Sequence, residues 1–188
     1  RDSFSEKYPT MKFVSRAAYK LWEIIKENNN LISKKGNTLH IAEAPGSFAQ
    51  CTALYMDTYH KGKDDSIQYI VSISENIGGI AMDNAILKDK RYKVISNMEK
   101  EISQNFNGDL TNPSDMKEIN KYIKEKFHFI TADGGKDVQN KNFQEQEQYS
   151  LIFSEILLAI THQEKGGSFV LKLFDTLTTL SVKFIAGL

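Results

Sequence analysis

Apolar positions along the chain follow two alternating periods. After Ser15, a residue able to cap a helix, Ala18, Leu21, Trp22 and Ile25 recur at the spacing of an amphipathic helix, and the pattern fades at Asn28, Asn29 and Asn30. Arg16 and Lys20, four residues apart, share a face of that helix beside the stripe. Short apolar runs follow at 38–42 (TLHIA), 67–73 (IQYIVSI), 92–95 (YKVI), 127–132 (FHFITA) and 168–174 (SFVLKLF), separated by segments long enough for helices. The clearest of these helices covers 145–164, with Tyr149, Ile152, Phe153, Ile156, Leu157 and Ile160 at helical spacing. Strands alternating with helices predict an α/β fold: a doubly wound, mostly parallel, Rossmann-like sheet with helices on both faces and ligands beyond the carboxyl ends of its strands. Site residues are therefore expected just after each apolar run.

Length and charge narrow this picture. With 188 residues and 40% hydrophobic content, one domain spanning 1–188 can bury a sizeable core. Lys+Arg and Asp+Glu number 24 each, so the chain as a whole exerts no long-range pull on polyanions and any nucleic-acid surface must be local. Cys51 is the sole cysteine, which excludes an internal disulfide and fits a reducing compartment. No apolar run approaches the roughly 20 residues that span a bilayer. The expectation is a soluble intracellular protein of the cytoplasm or nucleus, with no membrane partner. The chain starts Arg1-Asp2-Ser3 and ends on the apolar Phe184-Ile185-Ala186-Gly187-Leu188, which reads as a C-terminally incomplete piece of something longer.

Candidate chemistry follows the strands. The first ends in His40-Ile-Ala-Glu-Ala-Pro-Gly-Ser-Phe48, where Gly46 allows close backbone approach and the next helix points its N-terminus at a ligand. An ordinary strand-to-helix connection accounts for the same spacing, and the three-glycine dinucleotide fingerprint is missing. Asn107-Gly-Asp-Leu-Thr-Asn-Pro113 puts Asp109 where a carboxylate could accept a base amino group, but it is also turn chemistry leading into a helix at Ser114. The 127–132 strand runs straight into Asp133-Gly134-Gly135, so Asp133 is either a site residue or a turn aspartate beside a close backbone approach. Lys172 stands among Phe169, Val170, Leu171, Leu173 and Phe174. In the interior of a parallel sheet a lone ammonium is costly, so a cleft pairing with Asp133 fits it better than an edge-guarding role. His40, His128 and His162 lack metal-ligand spacing, no metal site is expected, and the histidines and Cys51 read as packed structural groups.

Taken in order, Ser15-Arg-Ala-Ala-Tyr-Lys-Leu21, Glu43-Ala-Pro-Gly-Ser-Phe48, Thr131-Ala-Asp-Gly-Gly135 and Gly167-Ser-Phe-Val-Leu-Lys-Leu-Phe-Asp175 resemble the FtsJ-like RNA 2′-O-methyltransferases. The match looks closest to the branch acting on messenger RNA caps, which has animal and large-DNA-virus members; a virion is then a further location. The resemblance implies S-adenosylmethionine as cofactor and RNA as partner, with capped mRNA as substrate and other capping or transcription proteins as associates. Ribosomal or transfer RNA is the alternative substrate, and a catalytically inactive RNA-binding scaffold the alternative role. It further implies Lys20, Asp133 and Lys172 as the first three members of a Lys-Asp-Lys-Glu tetrad, with Lys172 the base and the glutamate beyond Leu188. Cofactor contacts would come from Glu43, Ala44, Pro45, Gly46, Ser47, Phe48, Ser74, Asp109 and Asp133, and RNA contacts from Lys12, Arg16 and Lys20. Lys34 and Lys35, nearby in sequence, would extend that basic patch. The chain departs from many relatives in carrying His40 for an aspartate, Ser47 for a second glycine, and Ser74 in the slot of the ribose-binding acid.

Overall fold

The computed structural model describes residues 12–60, 65–95, 102, 105–138, 140 and 143–187. Ser15 lies one residue before the cap position, which Arg16 fills without a side-chain bond; the Ser15 hydroxyl accepts from the Ala17 amide at 3.2 Å, and α1 (Ala17–Glu27) lays Ala18, Leu21 and Ile25 inward. β1 (Thr38–Ile41) leads into α2 (Ser47–Tyr59), then β2 (Gln68–Val71), the short α3 (Asn84–Lys88) and β3 (Tyr92–Val94). Asn112 caps α4 (Pro113–Tyr122), accepting from the Ser114 amide at 2.8 Å with Pro113 in the first turn, where its missing N–H costs nothing. β4 (Phe127–Ala132), α5 (Gln144–His162), β5 (Gln163–Leu171) and α6 (Thr179–Ala186) complete the chain.

All five strands are parallel, in the order β3-β2-β1-β4-β5. Alternation of side chains along each strand feeds two cores. On one face Phe129 meets Leu21 and Ile25 of α1 and Cys51, Tyr55 and Met56 of α2. On the other, Leu39, Ile41, Val71 and Ile130 pack with Ile119 of α4 and Leu158 and Ala159 of α5. After β3 the chain crosses back over β1 to lay down β4 beside it, so the strand order reverses between β1 and β4 and leaves a crevice at their carboxyl ends. Among the described residues no helix is long and apolar enough to cross a membrane.

Two expectations change. The run at 168–174 shifts: β5 covers 163–171, pairs with β4 and is half-buried among the described residues, and Lys172 stands one residue past its end. The Lys172 side chain is 33% exposed, so the ammonium escapes full desolvation. In α5 the apolar positions split, with Ile152 and Ile156 facing the core while Phe153, Leu157 and Ile160 are exposed. Glu145, Gln148 and Glu155 are buried in their place, because loops packed on α5 supply hydrogen-bonding backbone.

Candidate active site

The turn after β1 is built from within. Ala42 takes a left-handed φ of 53°, the Ala44–Pro45 bond is cis, and Gly46 lies at φ 110°. Glu43 is buried and caps α2: its Oε1 accepts from the Phe48 amide at 2.6 Å and the Ser47 hydroxyl at 3.2 Å, and its Oε2 from the Ala49 amide at 3.4 Å. Burial pushes the Glu43 pKa up to about 8; the three donors pull against that, and the nearby Asp133 charge adds to it. Ala42 and Ala44 line the crevice, whereas Ser47 and Phe48 are buried in α2. Gly46 is needed for a reason other than ligand approach. A side chain there would lie 2.5 Å from Ile86 Cγ1 and 3.2 Å from Met82 Sδ, so the glycine lets α3 pack on the turn.

The next wall follows β2, where Ser72, Ile73, Gly78, Gly79 and Ile80 line the crevice. Ser74 shapes this loop from behind: its hydroxyl accepts from the Asn76 amide at 3.3 Å, its N–H donates to Asn107 O at 2.7 Å, and its carbonyl accepts from the Gly79 amide at 3.0 Å. Asp109 does the expected turn work at the crevice wall. It lines the crevice, and its Oδ1 accepts from the Thr111 amide at 2.9 Å and the Thr111 hydroxyl at 2.7 Å. The loop below is pinned by Asp115, whose Oδ2 accepts from the amides of Asn107 and Asp109, each at 3.0 Å.

The last wall is Asp133–Lys136. Lys172 Nζ sits 3.2 Å from Asp133 Oδ1, donates to Asp133 O at 3.0 Å and lies 4.7 Å from the centroid of the Phe174 ring. Ladder bonds fix both backbones past the strand ends, from the Asp133 amide to Ile41 O at 3.2 Å and from the Lys172 amide to Ala132 O at 2.9 Å. The structure thus brings together Asp133, Lys172 and the crevice holding Asp109. Lys12, Arg16 and Lys20 are exposed before and along α1, and no described contact joins Lys20 to the Asp133–Lys172 pair. Lys34 and Lys35 do not extend this region. They precede β1 at the opposite end of the sheet, where Lys34 pairs with Glu164 at 3.0 Å. Cys51 is buried, with its thiol pKa pushed up by burial, consistent with packing.

Site-building residues that escaped the sequence reading include Ser72, Gly78, Gly79 and Ile80, Asp115 beneath them, and Lys136, Gln148 and Glu155. Lys136 lines the crevice, and Gln148 and Glu155 bind the turn from α5. For Gln148 and Glu155 the one signal was their spacing of seven residues, which puts both on one face of the helix.

An open parallel sheet with five glycines among the residues lining its switch-point crevice, and a lysine–aspartate pair at the rim, defines a Rossmann-like domain. Such a domain is suited to a nucleoside cofactor with proton transfer beside it. The FtsJ-like methyltransferase family model matches residues 13–186, and the chain belongs to that family. It is 25% identical over 182 residues to cap-specific mRNA (nucleoside-2′-O-)-methyltransferase 2 of Drosophila melanogaster, covering 93% of this chain and 26% of that protein. Over 84 residues it is 33% identical to cap-specific mRNA (nucleoside-2′-O-)-methyltransferase 1 of Mus musculus, covering 42% of this chain and 10% of that protein. The chain therefore spans about a quarter or less of the length of these two relatives. A solved structure from Plasmodium falciparum, assigned as a ribosomal RNA methyltransferase, shares the fold with a TM-score of 0.59 and 23% identity over 92% of this chain and 85% of that one.

Proposed function

We propose that this domain methylates a ribose 2′-hydroxyl of RNA near the 5′ cap, with S-adenosylmethionine as methyl donor. The observation that carries the reading is the Lys172–Asp133 pair, held by side-chain and backbone contacts at the rim of a glycine-lined crevice. The crevice fits the cofactor: Gly78, Gly79, Gly108 and Gly135 leave backbone open to it, Ile80 and Leu110 offer apolar surface to an adenine, and Asp109 offers a carboxylate to its amino group. When bound, the cofactor supplies an electrophilic sulfonium methyl. Lys172 Nζ, as the neutral amine, would take the proton from the ribose hydroxyl as the oxygen–methyl bond forms and the methyl–sulfur bond breaks, leaving a neutral thioether. Asp133 holds that nitrogen in place, which matters because alignment supplies much of the acceleration, while proton removal typically adds about 10²–10⁴-fold. Exposed Lys12, Arg16 and Lys20 guide the RNA backbone. Relatives named as cap-specific support the cap as the preferred substrate.

The test is transfer of labelled methyl to capped and uncapped RNA by wild type, Lys172→Ala and Lys172→Arg. Transfer should favour capped RNA and collapse in both variants, because a guanidinium stays protonated and cannot accept the hydroxyl proton. Wild-type-like turnover in Lys172→Arg would overturn the base role. A wild type that binds RNA but transfers no methyl would favour a non-catalytic scaffold.

A further inference from the structure

Helix α5 sends two buried polar side chains under the catalytic turn. Gln148 and Glu155 stack two turns apart on one helix face, and each is 0% exposed. Gln148 Oε1 accepts from the Lys136 amide at 2.9 Å while its Nε2 donates to Lys136 O at 2.8 Å. Glu155 Oε1 accepts from the Gly134 amide at 2.9 Å. Three backbone groups of the four-residue turn Asp133–Lys136 are thus tied to a single helix. The grip at Gly134 has no slack, since a Cβ there would overlap Glu155 Oε1 and come within 2.9 Å of Leu151 Cδ2.

Stability does not account for this carboxyl. Glu155 Oε2 is buried without a hydrogen-bond partner among the described residues, and an apolar side chain of similar volume would avoid that desolvation. Its one bonded oxygen goes to the residue following Asp133, whose own carboxylate and carbonyl both hold Lys172 Nζ. We propose that Glu155 is a positioning residue for the transfer reaction, which with Gln148 sets the height of the Asp133–Lys136 turn and so the placement of Asp133 and Lys172. This rests on the reading of Lys172 as the base. The form of Glu155 that does this is chiefly the neutral acid. Burial pushes its pKa up to about 8, with Lys172 and the Gly134 bond pulling it down and Asp133 adding to the rise. A carboxylic acid offers Gly134 a carbonyl oxygen, and a glutamine amide offers the same acceptor in the same shape.

The experiment compares wild type, Glu155→Gln and Glu155→Leu for methyl transfer to RNA, thermal unfolding, and amide hydrogen exchange at Gly134 by NMR. Glu155→Leu removes an unpartnered buried oxygen but orphans the Gly134 amide, two effects that oppose each other, so it should shift the melting temperature little, speed exchange at Gly134, and lower turnover about 10²-fold, the scale of a displacement of roughly 1 Å at a reacting group. Glu155→Gln should restore slow exchange and most of the turnover. A purely structural role predicts instead that melting temperature and turnover fall together. Turnover in Glu155→Leu within a few-fold of wild type, equal losses in both variants, or unchanged Gly134 exchange would each overturn the proposal. A wild type with no transfer would refute the enzymatic reading, while exchange at Gly134 would still decide whether Glu155 holds the turn.

Discussion

Gly134→Ala offers a narrow test of how tightly the catalytic turn is built. The φ of Gly134 lies outside the left-handed region, so alanine meets no backbone penalty and the effect is steric. The new methyl would overlap Glu155 Oε1 and lie 2.9 Å from Leu151 Cδ2 and 3.1 Å from Ala42 Cβ. Glu155 can withdraw only by giving up its bond to the Gly134 amide, which leaves a buried donor and acceptor apart. Overpacking of this kind costs about 1–3 kcal/mol and a broken buried hydrogen bond about 1–3 kcal/mol, and since relief of one incurs the other they do not simply add. Lower chain entropy in the unfolded state returns about 0.4–1 kcal/mol. A net loss of about 2 kcal/mol follows, or a fall of about 4–8 °C in melting temperature for a chain of this length. Because Asp133 is the adjacent residue, turnover should fall about 10²-fold as well. Calorimetry with a methyl-transfer assay on the same preparation reads both quantities. A melting temperature within about 1 °C of wild type, together with unchanged turnover, would mean that the turn has room and that the close packing around Gly134 is not what fixes Asp133.

The other expectations concern acid and salt. Burial lowers the His40 pKa from 6.5 to about 4, so its contribution to stability is fully present above pH 6.5 and is lost as pH falls through about 4. Urea unfolding from pH 7 to pH 4 should therefore show roughly 3 kcal/mol of pH-dependent loss in wild type that His40→Gln lacks, and parallel curves for the two proteins would refute the buried neutral imidazole. Mutating Lys12 and Arg16 together to alanine should weaken RNA binding, flatten its salt dependence and leave cofactor affinity unchanged in titration calorimetry. Unaltered RNA affinity would send the strand elsewhere.

The order of elements and the Asp133 turn were legible in the sequence because both rest on local rules. Apolar period separates strand from helix within a few residues, and an aspartate followed by two glycines at the end of an apolar run marks a site of close backbone approach wherever it sits in a parallel sheet. Asn112-Pro113 announced α4 for the same reason, since a cap is satisfied by its own next turn. What the sequence could not determine is which distant group meets a polar side chain. His40 looked like a lone histidine, yet its ring lies 2.9 Å from Thr38 Oγ1, 2.8 Å from Thr131 Oγ1 and 3.2 Å from Gln68 Oε1, a network across three strands. Lys34 seemed part of a basic patch until β5 brought Glu164 to it from 130 residues away. Glu155, a charged residue type in an amphipathic helix, is fully buried because the fold lays an open backbone amide against it. Local sequence sets which conformations a segment prefers, but the desolvation of a polar group is decided by what packs over it, and that is a property of the assembled sheet and its helices.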